Sequence, residues 1–254
     1  MMNHRIRFLQ LLFLMILWFA LPLHAQAADP IPGINIDIGT SDSPEGASST
    51  ITILLLVTVL SIAPSVLILM TSFTRIVIVL GFVRTSLGTQ QMPPNQMLIG
   101  LALFLTFFIM APTFGEINET AVQPYLKGQI QQMEALDKAS VSMKKFMFQH
   151  TRQKDLKLFL DYSKAAPPSG VEDTPLTALV PAYAISELKT AFQMGFMIFI
   201  PFLVIDMVVA STLMAMGMMM LPPVMISLPF KVLLFILVDG WYLVVRSLLL
   251  SFNT

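Results

Sequence analysis

Read for its alternation of apolar and polar positions, the chain contains four long apolar stretches, with one polar segment between the second and the third. The first runs from Ile51 to Leu87, almost wholly apolar but interrupted by Pro64, Arg75 and Arg84. One membrane span needs about 20 residues, so this stretch predicts a tilted or kinked helix, or two joined pieces. A turn at TSLGTQQMPPNQ (85–96) leads to the second stretch, Met97–Phe114. The third, Ala191–Met220, is apolar apart from Gln193 and Asp206 and contains Pro201. The fourth, Val224–Leu250, is apolar apart from Pro229, Lys231, Asp239 and Arg246.

The polar segment has a different periodicity. Between Glu116 and Lys189 the chain carries nine basic and nine acidic residues, over half of its 15 and 15. Within it, residues 130–149 and 151–164 space their apolar positions three and four apart, as amphipathic helices do. The loop composition of AAPPSGVEDTP (165–175) closes the segment. At the other end of the chain, Arg5 and Arg7 precede an apolar core, Phe8–Leu21, and a small-residue site, Ala25-Gln26-Ala27. That order is a secretory signal, with an uncleaved first anchor as the alternative. The pattern therefore divides the chain into a signal peptide (1–27), an exposed Pro-, Gly- and Ser-rich leader (28–49), a hydrophobic hairpin (50–114), a polar helical domain (115–189) and a second hydrophobic hairpin (190–254). The fold class is all-α and membrane-associated, two broken helical hairpins with an inserted polar helical domain.

Composition agrees with a membrane location. The chain is 56% hydrophobic and 12% charged, against about 25% charged in a soluble domain, and its mean hydropathy is +0.76. Formal net charge is zero, so no basic surplus points to nucleic acid. There is no cysteine, which removes disulfides, thiolate metal sites and cysteine nucleophiles from consideration. Neither GxSxG, HExxH nor a P-loop occurs, and beyond residue 27 the only histidine is His150. The sequence predicts no enzyme and no cofactor.

The informative side chains lie inside the apolar stretches. Arg75, Arg84, Asp206, Lys231, Asp239 and Arg246 are charges in costly surroundings, and Glu187 stands at the threshold of a stretch. Such residues face another helix, a partner charge or a water-filled path; near a segment end, as for Arg84, Glu187 and Arg246, they also reach the interface. The second unusual feature is MAMGMMMLPPVM (214–225), six of whose twelve residues are methionine. Met218, Met219 and Met220 are consecutive, so they cannot all serve one helical face. They follow Gly217 and precede Pro222 and Pro223, where the helix must stop. Methionine is soft and unbranched and packs around partners of many shapes. A methionine loop at a chain reversal would make a deformable closure if several copies met at one point; ordinary gap-filling between helices is the alternative. QMPPNQMLI (91–99) echoes MLPPVMISL (220–228), either by coincidence or because the hairpins are related, a pattern found in transport proteins. An ion-coupled transporter is thus a second class to weigh, although no cluster of polar ligands offers it a substrate site.

Two long segments, SFTRIVIVLGFVRTSLGTQQMPPNQMLIGLALFLTFFIMAP (72–112) and PFLVIDMVVASTLMAMGMMMLPPVMISLPFKVLLFILVDGW (201–241), resemble the FliP family of flagellar biosynthesis proteins, and the likeness covers essentially the whole chain. The resemblance implies a pore-forming subunit of the type III export gate, which passes unfolded flagellar proteins across the bacterial inner membrane at the centre of the flagellar basal body. It implies a homo-oligomer assembled with FliQ and FliR, standing above FlhB and FlhA, in contact with membrane lipid and with much of the chain on the periplasmic side. By the same resemblance Met218, Met219 and Met220 are the pore seal, shaped by Gly217, Pro222 and Pro223. Glu187 and Lys231, with Arg75 and Asp206, are then the charges of subunit contacts, Glu187 and Lys231 pairing with each other across two copies.

Overall fold

A computed structural model of the chain describes residues 44–89, 91–163, 168–218 and 220–253. The expected cleavage site and most of the expected leader lie outside those residues. The described residues hold nine α-helices and no strand: α1 (Pro44–Met70), α2 (Phe73–Leu87), α3 (Asn95–Ile117), α4 (Gln123–Leu126), α5 (Gln132–His150), α6 (Gln153–Ser163), α7 (Leu176–Ala215), α8 (Pro223–Leu237) and α9 (Gly240–Leu250). The all-α, membrane-associated class expected from the pattern is what the chain adopts. The chain divides into two compact units, Met1–Val59 and Leu60–Thr254. In the first, helix α1 starts at Pro44, inside the stretch expected to be leader, and exposes Leu54 and Val57.

The second unit holds the rest. Leu60–Met70 and α2 meet at a 67° bend, so the first apolar stretch is two joined pieces. Thr71 makes the break: its hydroxyl donates back to the Leu67 carbonyl, and its own carbonyl accepts from Tyr183 Oη at 2.9 Å. Helix α3 continues through a π-helical turn, Asn118–Val122, into α4, and this 32-residue run is long and apolar enough to cross a membrane. Helix α7, 40 residues long, passes the same test. Helices α8 and α9 form another broken pair, bent by 62° at Val238–Asp239.

The core is the pairing of α2 with α7. Helix α2 turns Ile76, Val79, Leu80, Val83 and Leu87 inward, a three-and-four spacing that makes one stripe. Helix α7 answers with Ala178, Ala182, Ser186, Ala191 and Gly195. Lipid tails are as apolar as leucine, so burial alone does not drive such helices together; small residues let the backbones approach and dispersion contacts form. Gly195 is the tightest point. A Cβ there would lie 2.4 Å from the ring of Phe82, which stands edge-on to Phe192 at 5.4 Å.

The polar segment packs on the same core through α5, which buries Phe146 and Met147, and α6, which buries Leu156 and Leu160. Its boundary differs from the expectation. Helix α7 starts at Leu176, so the expected end of the polar domain at residue 189 falls inside a continuous helix. Glu187, expected at the threshold of the third apolar stretch, is fully buried within this helix and neutralised by a partner.

Candidate functional site

At the Phe73 end of the α2–α7 pair, Arg75 reaches Glu187. Its Nε donates to Oε2 at 2.8 Å and its Nη2 pairs with Oε1. Nη1 donates to both the carbonyl and the hydroxyl of Ser251, at 2.8 and 2.9 Å, and the guanidinium carbon lies 3.8 Å from the ring centre of Phe252. Arg75 is 3% exposed and Glu187 not at all. A planar fork meeting a carboxylate over an aromatic face is the arrangement arginine supports and lysine does not. One residue before Glu187, Ser186 continues the network outward, donating to Asp155 Oδ2 at 2.7 Å and accepting from the Arg152 backbone N–H at 3.1 Å. Arg152 closes on the same carboxylate at 2.5 Å. Burial opposes the charge of Asp155, but the Ser186 hydrogen bond and the bonded, charged Arg152 outweigh it, so its carboxyl stays below the ordinary aspartate value. The C-terminus, the polar segment, the α1–α2 bend and α7 are thus tied at one junction.

A second pair lies further along α7. Lys231 Nζ donates to Asp206 Oδ2 at 2.6 Å, and Ser227 Oγ donates to Oδ1 at 2.5 Å. Lys231 is 3% exposed. Its ammonium also lies 3.7 Å from where a Cβ on Gly88 would be. Gly88 ends α2 in the left-handed conformation, φ 74°, so Lys231 stands beneath a helix C-terminus, where a cation is favoured. Within the chain Glu187 and Lys231 are therefore not each other's partners: Arg75 holds the first and Asp206 the second. The two pairs within the chain join the four residues expected at subunit contacts, Arg75 with Glu187 and Asp206 with Lys231; the expected Glu187–Lys231 contact is one between copies.

Beyond Asp206 comes the methionine turn. Gly217 sits at φ 75°; its N–H bonds Met214 O and that of Met218 bonds Leu213 O, both at 3.0 Å. This is the double closure by which a left-handed glycine ends a helix. Pro222 then caps α8 and Pro223 is its first residue, positions where a missing N–H costs nothing. The turn is held out of helix at both ends by backbone chemistry alone. Met218 is 44% and Met220 99% exposed; Met219 lies outside the described residues. The first turn has the same plan: Gly88 in the left-handed region, four residues, then Pro93 and Pro94, with Pro94 capping α3. Met92 there is 68% exposed. The two turns lie at the same end of the bundle, since a Cβ on Gly88 would be 3.5 Å from Val224 Cγ1.

Sequence reading missed Ser251 and Phe252 beneath Arg75, and Ser227 beside Asp206. A serine near a chain end and a serine one turn before a lysine carry no signal without the fold.

The geometry can be set beside known proteins. A family model described as the FliP family matches residues 56–248. The chain is 70% identical over 217 residues to "Flagellar biosynthetic protein FliP" of Bacillus subtilis (strain 168), covering 85% of this chain and 98% of that one. It is 52% identical over 221 residues to the protein of the same name from Cereibacter sphaeroides, covering 87% and 73%. To that from Caulobacter vibrioides it is 53% identical over 223 residues, covering 87% and 82%. A match of that length and identity, spanning both charge pairs and the methionine turn, places the chain in the FliP family of flagellar biosynthetic proteins.

Proposed function

We propose that this membrane-embedded component of the flagellar export apparatus is a pore-forming subunit of the export gate, and that its methionine turn is the pore seal. The observation that carries the reading is the turn itself. Met218 and Met220 are exposed on a segment whose two ends are fixed by Gly217 and the Pro222–Pro223 pair. A passage for unfolded protein must close on ions and open around side chains of every size. Methionine has three rotatable bonds and no branch, so it yields without leaving a rigid gap, and a narrow apolar constriction excludes ions by excluding water. Several copies, assembled with FliQ and FliR above FlhB and FlhA in the inner membrane, would bring their turns to one axis. The Arg75–Glu187 and Asp206–Lys231 pairs brace each copy from within, so that the surfaces meeting neighbouring copies keep one shape.

The test is electrical. Met218, Met219 and Met220 replaced together by alanine should leave the subunit folded and assembled while raising the ion conductance of the reconstituted gate. A triple-alanine assembly as tight as the parent, or one that fails to assemble, returns these methionines to ordinary packing.

A further inference from the structure

The elbow between α8 and α9 carries two charges that have no ion-pair partner among the described residues. Asp239 is the one non-glycine with positive φ among the described residues, at φ 51° and ψ 55°. It occupies the capping position of α9, yet its carboxylate makes no capping hydrogen bond. Left-handed backbone costs an aspartate less than most residues, but it persists only where the surroundings impose it. Here they do. The next residue, Gly240, is buried so tightly that a Cβ would lie 2.2 Å from the Phe235 ring, and that ring is met edge-on by Trp241 at 5.4 Å. The elbow is locked, and it presents Asp239 outward.

Two helical turns on, Arg246 is likewise exposed. Residues seven apart share one face of a helix. The opposite face of α9 buries Gly240, Val244 and Leu248, whereas the outward stripe runs Asp239, Tyr242, Leu243, Arg246, Leu250. Among the described residues neither Asp239 nor Arg246 has an ion-pair partner, whereas Arg75, Asp206 and Lys231 do and Arg84 is held by Asn95. Seven residues span about 10 Å of helix, and among the described residues the two do not pair with each other within the chain. An acid and a base, each unanswered, on one apolar stripe are complementary to the same stripe of another copy. The 62° bend turns α9 off the axis of α8, and an acid and a base at different places on one stripe suit a head-to-tail contact, in which each copy offers one of them to a neighbour.

We infer that the α8–α9 elbow is a contact between copies of this chain, in which Asp239 of one copy pairs with Arg246 of the next. The inference rests on the multi-copy gate proposed above and adds the surface by which copies join. The chain has no cysteine, so an engineered pair reports alone. Asp239→Cys and Arg246→Cys placed together in the full chain, expressed with its gate partners and oxidised in the membrane, should give a reducible ladder extending beyond dimer, and neither single cysteine should. Cysteines about 10 Å apart cannot bridge within a chain. Neutral variants guard against a strained elbow: Asp239→Asn and Arg246→Gln should each lower the assembled fraction several-fold, and the double variant no further than either. Bands that stop at dimer, a ladder from one cysteine alone, or additive losses in an assembly of multi-copy mass overturn this contact and leave the multi-copy gate standing. A native mass of a single copy overturns the gate reading and this inference with it.

Discussion

Arg75 and Glu187, 112 residues apart in sequence, meet as a fork on a carboxylate across the α2–α7 interface, with both side chains shut away from solvent. Removing one member leaves the other as a buried, uncompensated charge, which typically costs about 3–5 kcal/mol, whereas replacing both by apolar residues of similar size is far milder. Arg75→Met and Glu187→Leu should each strongly lower the melting temperature of the detergent-solubilised chain, and the double variant should recover most of the loss. A double-variant loss equal to the sum of the two single losses would show that the pair contributes nothing as a pair.

The Asp206–Lys231 pair makes a prediction about where its partner resides. Lys231→Asp and Asp206→Lys should each disrupt assembly, and the two together in one chain should restore it. Co-expressing the two single variants as separate chains should not. Rescue in trans as well as in cis would place the pairing between copies, contrary to the 2.6 Å contact within the chain.

Gly195 predicts a steric cost. Gly195→Ala sets a methyl against the Phe82 ring, 2.4 Å away before any shift, and overpacking of this kind costs about 1–3 kcal/mol. Phe82→Ala on that background should recover part of the lost thermal stability. If Gly195→Ala is neutral on its own, the close approach of α2 and α7 is looser than described.

Asp155 gives a pH dependence outside the hydrophobic segments. Its folded carboxyl binds a proton less readily than the unfolded one, whose reference value is 3.8. Its contribution is therefore complete above that value and is lost as pH falls through the lower, folded one. Protease resistance of the α5–α6 segment should decline in that acid range, and Asp155→Asn should be weaker at neutral pH and flat across it. A variant that keeps the parent's acid transition would assign the transition to another group.

Much of this arrangement is legible in the chain. The apolar stretches give α2, α3, α7 and α8; Gly217 and Pro222–Pro223 give the turn; the four paired charges stand out because charge is costly there. Their pairing is not legible, since Arg75, Glu187, Asp206 and Lys231 permit more than one neutral combination and only the packing of α2 on α7 selects among them. The α8–α9 bend is hidden for another reason. No proline marks it: a glycine under an aromatic ring and a left-handed aspartate make the corner, and VDGW reads as a pause in an otherwise continuous apolar run.

Helix α7 also serves as a measuring rod. Glu187 and Asp206 are nineteen positions apart on it, about 28 Å of α-helical rise, close to the roughly 30 Å of a bilayer's hydrocarbon. With α7 upright, each neutralised charge would lie level with one headgroup layer. The remaining length, out of about 60 Å for the 40 residues, would project beyond the oil on either side. On that placement the methionine turn, twelve positions past Asp206, would stand about 18 Å beyond the second pair, clear of the hydrocarbon on the watery side.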